Sequence, residues 1–141
     1  MKIFRADIRL LDDGIFKDNC VLKISRSIGM ISVRIEKGNH LIACGEACNL
    51  VTALKKVNAS YLKLRDKYAA QMARFELITS NIMYDDNISD YIKSGGSIKI
   101  ERKSFFPYLV AQVYDYYGKQ KIEKNSPDLY TSLQSLDSLL A

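Results

Sequence analysis

Basic side chains recur at alternate positions of several extended segments, in a pattern that could bind an anion. Arg5 and Arg9 lie on one face of the segment 2–10, and Lys23 and Arg34 lie opposite the apolar positions of two later segments. Alternate residues of a strand point to opposite faces of a sheet, so these side chains could form one basic surface. Phosphate groups are the usual partners of such surfaces, which makes nucleic acid or a nucleotide the expected ligand.

The distribution of charge along the chain supports the same interpretation. The net charge is +5, with 14 basic and 8 acidic residues at positions 1–84 but 7 basic and 8 acidic residues at positions 85–141. The helix predicted over 45–84 adds lysines that lie away from most of its apolar face. The predicted ligand-binding residues are therefore Arg5, Arg9, Lys23, Arg34, Lys55, Lys56 and Lys63. The alternative is a solvated basic face that has no ligand.

Catalytic side chains in a recognisable arrangement are missing from the sequence. His40 is the single histidine, and no G-x-S-x-G motif accompanies it. Most acid–base mechanisms need a group that titrates near neutrality and a positioned partner. The Ser-Gly-Gly-Ser segment at 94–97 lacks the lysine of a Walker A loop and the third glycine of a dinucleotide fingerprint, so we interpret it as a hinge. We predict a non-enzymatic protein without a cofactor.

A zinc site is the strongest chemical alternative, because His40, Cys44 and Cys48 stand at four-residue intervals and Cys20 could complete a tetrahedral set. The predicted strand argues against it, since His40 and Cys44 would lie about 13 Å apart at 3.3 Å per residue. Cysteine also serves commonly as a small buried hydrophobic residue. We therefore predict no metal site.

Hydrophobic alternation predicts four strands joined by short turns in residues 1–44. These strands lie at 2–10, 20–25, 31–36 and 40–44. Gly38 and Asn39 can supply the positive φ angles that a two-residue hairpin requires. Four consecutive strands with short turns form an antiparallel meander.

A long amphipathic helix is predicted over 45–84, where the hydrophobic period changes from two to 3.6. A continuous helix over 46–82 would be about 50 Å long, whereas a compact chain of this size has a radius of gyration of about 14 Å. We therefore predict a homo-oligomer formed through this helix. The alternative is that C-terminal helices of the same chain cover its apolar stripe. The stripe consists of Val51, Leu54, Val57, Tyr61, Leu64, Tyr68, Met72, Phe75, Ile78 and Ile82.

Two shorter helices are predicted in the C-terminal region 97–141. The first begins near Ser104 and ends at Gly118, and the second begins at 126–128 and carries leucines on one face. Residues 84–97 form a polar connection, and 98–100 form either a brief strand or an entry into the helix. No internal repeat and no second domain are recognised. The predicted architecture is a single α+β domain over 1–141.

Composition and the first residues favour a cytoplasmic protein without a membrane segment. Apolar residues make up 48% of the 141 residues, but no run approaches the roughly 20 apolar residues of a membrane span. Charges interrupt the first apolar residues, and three cysteines are too few for a disulfide scaffold. The main hypothesis is a non-enzymatic binder of an anionic ligand. The alternative is a phage- or plasmid-type inhibitor or adaptor that uses the long apolar stripe and aromatic helices to bind a host protein.

Overall fold

The computed structural model describes residues 15–16, 19–62, 86–103 and 108–141, and the structural statements below concern this part of the chain. The strands form one antiparallel sheet in the order β3-β2-β1-β4-β5-β6. In chain order the elements are β1 (Val21–Ser27), β2 (Met30–Lys37), β3 (His40–Ala47), α1 (Leu50–Leu62), α2 (Asn87–Lys93), β4 (Ser97–Arg102), β5 (Leu109–Tyr114), β6 (Gln120–Ser126) and α3 (Leu129–Leu139).

The described residues thus form an α+β fold with a six-stranded sheet and three helices, and the predicted four-stranded meander is wrong. Three of the predicted strands correspond to β1, β2 and β3, and the predicted strand at 2–10 lies outside the described residues. The remaining three strands come from the C-terminal region, where two helices were predicted. Within 97–103 and 108–141, the described parts of that region, α3 is the only helix.

The helix predicted near Ser104 is wrong because its apolar residues fit two periods. Leu109, Val110 and Val113 match helical spacing. Leu109 and Val113 also alternate with Gln112 and Tyr114, as the two faces of a strand do. Short apolar runs are ambiguous in this way, and valine and tyrosine favour strands. These residues form β5, which pairs with β4 on one side and β6 on the other.

The long helix predicted over 45–84 is also corrected at its start. The chain stays extended to Ala47 in β3, and α1 begins at Leu50, where the Asn49 side chain accepts a hydrogen bond from the Thr52 N–H at 2.9 Å. Such a cap fixes the first turn of a helix. Residues 63–84 lie outside the described residues.

The first four members of the predicted stripe, Val51 to Tyr61, are buried in the core of their own chain. This part of α1 therefore needs no second copy to cover it.

The two halves of the sheet are related by an internal pseudo-two-fold axis, which the sequence did not reveal. β1, β2, β3 and α1 form one unit, and β4, β5, β6 and α3 form the other. Lys23 pairs with Lys99 at the centre, and on either side Leu22 pairs with Ile100 and Ile24 pairs with Ile98. The strands follow outward in the same order on both sides, β1-β2-β3 and β4-β5-β6, so exchanging the two units maps the sheet onto itself.

The helix starts repeat as well. Asn49-Leu-Val-Thr-Ala-Leu opens α1 and Asp128-Leu-Tyr-Thr-Ser-Leu opens α3, and the first side chain of each accepts a hydrogen bond from the threonine N–H three residues later. We conclude that the chain contains a β-β-β-α repeat.

All three helices pack on the face of the sheet that carries Leu22, Ile24, Ile98 and Ile100. α1 lies over β2 and β3, α3 lies over β5 and β6, and α2 contacts β1, β2 and α3. Gly45 allows α1 to approach β3 closely, because a Cβ atom there would lie 2.5 Å from the Val57 nitrogen. The opposite face of the sheet carries the polar side chains of the central strands.

Two buried carboxylates join the three helices. Asp86 caps α2 by accepting hydrogen bonds from the Ser89 N–H and hydroxyl, and the Ser89 oxygen accepts a bond from the Leu50 N–H at the start of α1. Asp137 of α3 accepts bonds from the N–H groups of Asn87 and Ile88 at 2.9 and 3.1 Å. The free N–H groups at two helix starts are thereby satisfied inside the protein.

Gly45→Ala tests the close approach of α1 to β3. We expect the free energy of unfolding to fall by about 1–3 kcal/mol, because the new methyl group must displace helix backbone. Urea unfolding followed by circular dichroism measures it. Gly29→Asn is the control, because Gly29 has φ +74° with open space around its Cβ position, and asparagine tolerates this conformation. Equal losses in the two variants would contradict the packing explanation.

Asp86→Asn tests the buried cap. Burial raises the pKa of Asp86 above its ordinary 3.8, although the hydrogen bonds from Ser89 oppose this shift. The folded state therefore holds this proton at pH values where the unfolded state has lost it, and stability falls as pH rises through that window. Asparagine cannot titrate. We expect the variant to gain stability relative to the wild type as pH rises.

Urea unfolding of both proteins from about pH 3 to pH 7 measures this difference. Asp86→Ala is the comparison, and it should lose about 1 kcal/mol at neutral pH because the cap is removed. Parallel stability curves for Asp86→Asn and the wild type would show that the carboxyl does not titrate differently on folding.

Candidate functional site

Three cationic side chains form a row across the centre of the polar sheet face. Arg34 of β2 is the direct partner of Lys23 of β1, and Lys23 is the direct partner of Lys99 of β4. Directly opposed residues on neighbouring strands have Cβ atoms about 4.5–5.5 Å apart, and like charges in such positions are destabilising. We call these three residues the cation row.

Carboxylates neutralise the cation row only in part. The Lys23 Nζ atom lies 2.9 Å from a Glu36 carboxylate oxygen, and the Lys99 Nζ atom lies 3.6 Å from one of Glu101. The side chain of Lys23 is 48% exposed, and exposed ion pairs contribute at most about 1 kcal/mol. Arg34 is exposed, and within the described residues it has no carboxylate at ion-pair distance. An incoming anion can therefore compete for these cations.

An open cavity of about 310 Å³ lies along the cation row. Its size is at the small end of the range for ligand sites, and it can hold a phosphate with an attached group. Hydroxyl groups line it beside the cations, and these can donate hydrogen bonds to the same anion. The lining residues are Lys23, Ile24, Ser25, Arg34, Glu36, Ser97, Ile98, Lys99 and Tyr114.

A hydrogen-bonded chain holds the β5 side of the cavity. The Tyr114 hydroxyl donates to the Gln112 side-chain oxygen at 2.9 Å, and the Gln112 amide nitrogen donates to Glu123 at 3.2 Å. The Tyr91 hydroxyl of α2 donates to the Tyr114 carbonyl at 2.7 Å, and burial raises the pKa of Tyr91. Tyr114 is thereby fixed at both its backbone and its hydroxyl.

Local turns set the register that creates the cation row. Ile28 and Gly29 both have positive φ angles, +49° and +74°, as a two-residue type I′ hairpin requires. This turn fixes the pairing of β1 with β2 and thus places Arg34 beside Lys23. Because Ile28 is β-branched, its positive φ angle is unusual and strained. Its side chain is almost fully exposed.

The structure brings together two of the seven residues predicted to bind a ligand. Lys23 and Arg34 are neighbours in the cation row. Lys55 and Lys56 belong to α1 on the other face of the sheet, where the Lys56 Nζ atom donates to the Glu46 carbonyl at 2.9 Å. The other three, Arg5, Arg9 and Lys63, lie outside the described residues.

Sequence reasoning missed Lys99 and Tyr114 as site residues. The alternation at 98–100 already allowed a brief strand, and reading it as one would have placed Lys99 opposite the apolar residues Ile98 and Ile100. Tyr114 was assigned to a helix. Asp115 and Gly118 are the signal that was overlooked, because aspartate at the first and glycine at the fourth position are typical of a type I turn.

Within the described ranges, no three histidine, cysteine or carboxylate side chains cluster where they could hold a metal ion. Cys20 is buried and Cys48 is exposed. Of the helices in the described part of the chain, none has the length and apolar content needed to cross a membrane.

Comparisons with protein-family models, with curated proteins and with solved structures found no match to this chain.

Arg34→Gln tests the electrostatic cost of the cation row. Glutamine is the residue at the equivalent position of the second unit, where Gln112 pairs with Lys99. We expect the free energy of unfolding at low salt to rise by about 0.2–1 kcal/mol, because a like-charge neighbour of Lys23 is removed. The gain should shrink in 1 M salt, where the screening length is about 3 Å.

Urea unfolding at the two salt concentrations measures this effect. Arg102→Gln is the matched control, since Arg102 is exposed at the end of β4, outside the cation row, and the change in net charge is the same. An equal gain in both variants would assign the effect to net charge rather than to the row.

Proposed function

We propose that this chain is a non-enzymatic binding protein that holds the phosphate of a nucleic acid or nucleotide on the cation row. The observation that carries the proposal is the direct cross-strand alignment of Arg34, Lys23 and Lys99 along a cavity. Three like charges in adjacent positions cost stability, and an anion seated between them removes that cost. A cytoplasmic location is part of the proposal, since three cysteines are too few for a disulfide scaffold.

The arginine and the two lysines have different roles in this proposal. Arg34 is the anchor, because its planar guanidinium group can donate two parallel hydrogen bonds to phosphate oxygens. Lys23 and Lys99 contribute charge and can exchange their carboxylate partners for the ligand, since exposed pairs are weak. Ser25 and Ser97 add hydroxyl donors at the cavity wall.

Binding of a protein partner is the alternative function, and the structure contradicts part of the reasoning for it. That hypothesis relied on an exposed apolar stripe and on aromatic C-terminal helices. Val51 to Tyr61 of the stripe are buried, and residues 109–114 form a strand. The homo-oligomer likewise stays a prediction that now depends on positions 63–84.

Binding of a fluorescently labelled single-stranded oligonucleotide, measured by anisotropy across a salt series, tests the proposal. For three phosphate contacts we expect log K to fall with log salt concentration at a slope of about −2. Arg34→Gln should weaken binding and reduce the slope by about 0.7, because one phosphate contact is lost. ATP should compete with the oligonucleotide for the same site.

Arg102→Gln is again the control, because it changes net charge equally outside the cation row. It should leave the slope close to that of the wild type. If the two arginine variants behave alike, binding depends on overall charge and the cation row is not the site. If the wild type binds neither oligonucleotide nor ATP, the proposed function is wrong.

A further inference from the structure

The loop between β5 and β6 carries two exposed tyrosines that do not belong to the hydrophobic core. Tyr116 is 67% exposed and Tyr117 is 90% exposed. Their rings stand at 89° to each other with centroids 5.4 Å apart. Large aromatic side chains at such exposure are candidates for contact with a ligand rather than for packing.

Hydrogen bonds hold the backbone of this loop, and both rings are exposed. The Asp115 carbonyl accepts a hydrogen bond from the Gly118 N–H at 3.0 Å, so Tyr116 and Tyr117 occupy the two central positions of a four-residue turn. The Asp115 carboxylate accepts bonds from the N–H groups of Tyr117 and Lys119, both at 2.9 Å. Gly118 closes the turn with φ +80°. The two rings are therefore presented on a fixed support.

The same loop lies at the rim of the cavity beside the cation row. Tyr114, which lines that cavity, is only two residues before Tyr116, a distance of about 7 Å along an extended chain. The Tyr116 ring also lies directly against Gly95, two residues before the cavity-lining Ser97. Three tyrosines thus lead outward from the site proposed to hold phosphate.

We propose that the ligand is a single-stranded nucleic acid, whose phosphates lie on the cation row and whose next bases stack on the Tyr116 and Tyr117 rings. This inference rests on the proposed function, since it takes the cation row as the phosphate site. A basic groove followed by aromatic rings is the arrangement that holds unpaired bases without reading their sequence. A free nucleotide would fill the cavity and leave the two outer rings uncovered.

The test compares two labelled strands of roughly 12 nucleotides, an oligothymidylate and an abasic chain with the same phosphodiester backbone. The wild type should bind the oligothymidylate about five- to 100-fold more tightly than the abasic chain, because stacking needs a base. The double variant Tyr116→Ala, Tyr117→Ala should bind both strands with the affinity that the wild type has for the abasic chain. Arg34→Gln should weaken both.

Three further variants make the result specific. Tyr117→Ala alone carries the test if the double variant does not fold, because its ring is almost fully exposed. Tyr117→Phe should bind as the wild type does, since stacking does not use the hydroxyl. Tyr108→Ala, just before the other end of β5, removes a tyrosine that is 44% exposed and should leave binding unchanged.

Two outcomes would overturn the inference while the proposed function stands. One is an oligothymidylate affinity unchanged by the tyrosine substitutions although Arg34→Gln weakens it. The other is equal affinity of the wild type for the two strands. Failure of the wild type to bind either strand or ATP would instead reject the proposed function itself. Tight capture of a protein partner through Tyr116 and Tyr117, with no oligonucleotide binding, would also reject the inference.

Discussion

The pairing of β1 with β4 is the contact on which the rest of the structure depends. It joins the two β-β-β-α units and places Leu22 beside Ile100 and Ile24 beside Ile98 on the face that the helices cover. Side chains alternate along a strand, so the residues between these apolar positions point to the opposite face of the sheet. Lys23 and Lys99 must then lie together on the opposite face. A shift of either strand by one residue would bury the lysine of that strand and expose its apolar residues, which makes the register strongly specified.

The helix layer is held by buried polar contacts as much as by apolar packing. α2 has only seven residues, and so short a helix is not stable alone in water. It persists because its first N–H groups bond to Asp86 and Asp137, while Arg26 of β1 donates to the Lys93 carbonyl at its last turn. Both ends are thus attached to other elements. The cost of the buried Asp86 charge is offset by a helix that covers the middle of the sheet.

The sequence was sufficient for those elements whose patterns were long and unambiguous. Clean alternation around Ile31 to Ile35 and the Gly38-Asn39 turn predicted β2 and the hairpin that follows it, and the leucine spacing after Pro127 predicted α3. β5 could not be separated from a helix by period, because its apolar run is short. Its identity depends on pairing with β4 and β6, and such long-range pairing leaves no local trace.

The same limit explains how much of the site could be predicted. Lys23 and Arg34 were found because both lie in strands with clear alternation, but their direct opposition depends on the turn at Ile28. Lys99 was missed as a ligand-binding residue because its position in the row exists only through the pairing of β4 with β1. The repeat was missed because its matches are short: Lys23, Ile24 and Arg26 of β1 recur as Lys99, Ile100 and Arg102 of β4, and the helix starts at Asn49 and Asp128 are alike.

The residues that surround the site do not follow the pseudo-two-fold symmetry, so the two ends of the site differ. The register makes Arg34 equivalent to Gln112, because each is the cross-strand partner of a central lysine. On the β2 side the cavity therefore has a guanidinium group, and on the β5 side it has an amide that is already bonded to Tyr114. The first side attracts negative charge, and the second continues into aromatic rings. The two halves of the sheet thus differ, one being a charged end and the other an aromatic end, which a symmetric sheet could not provide.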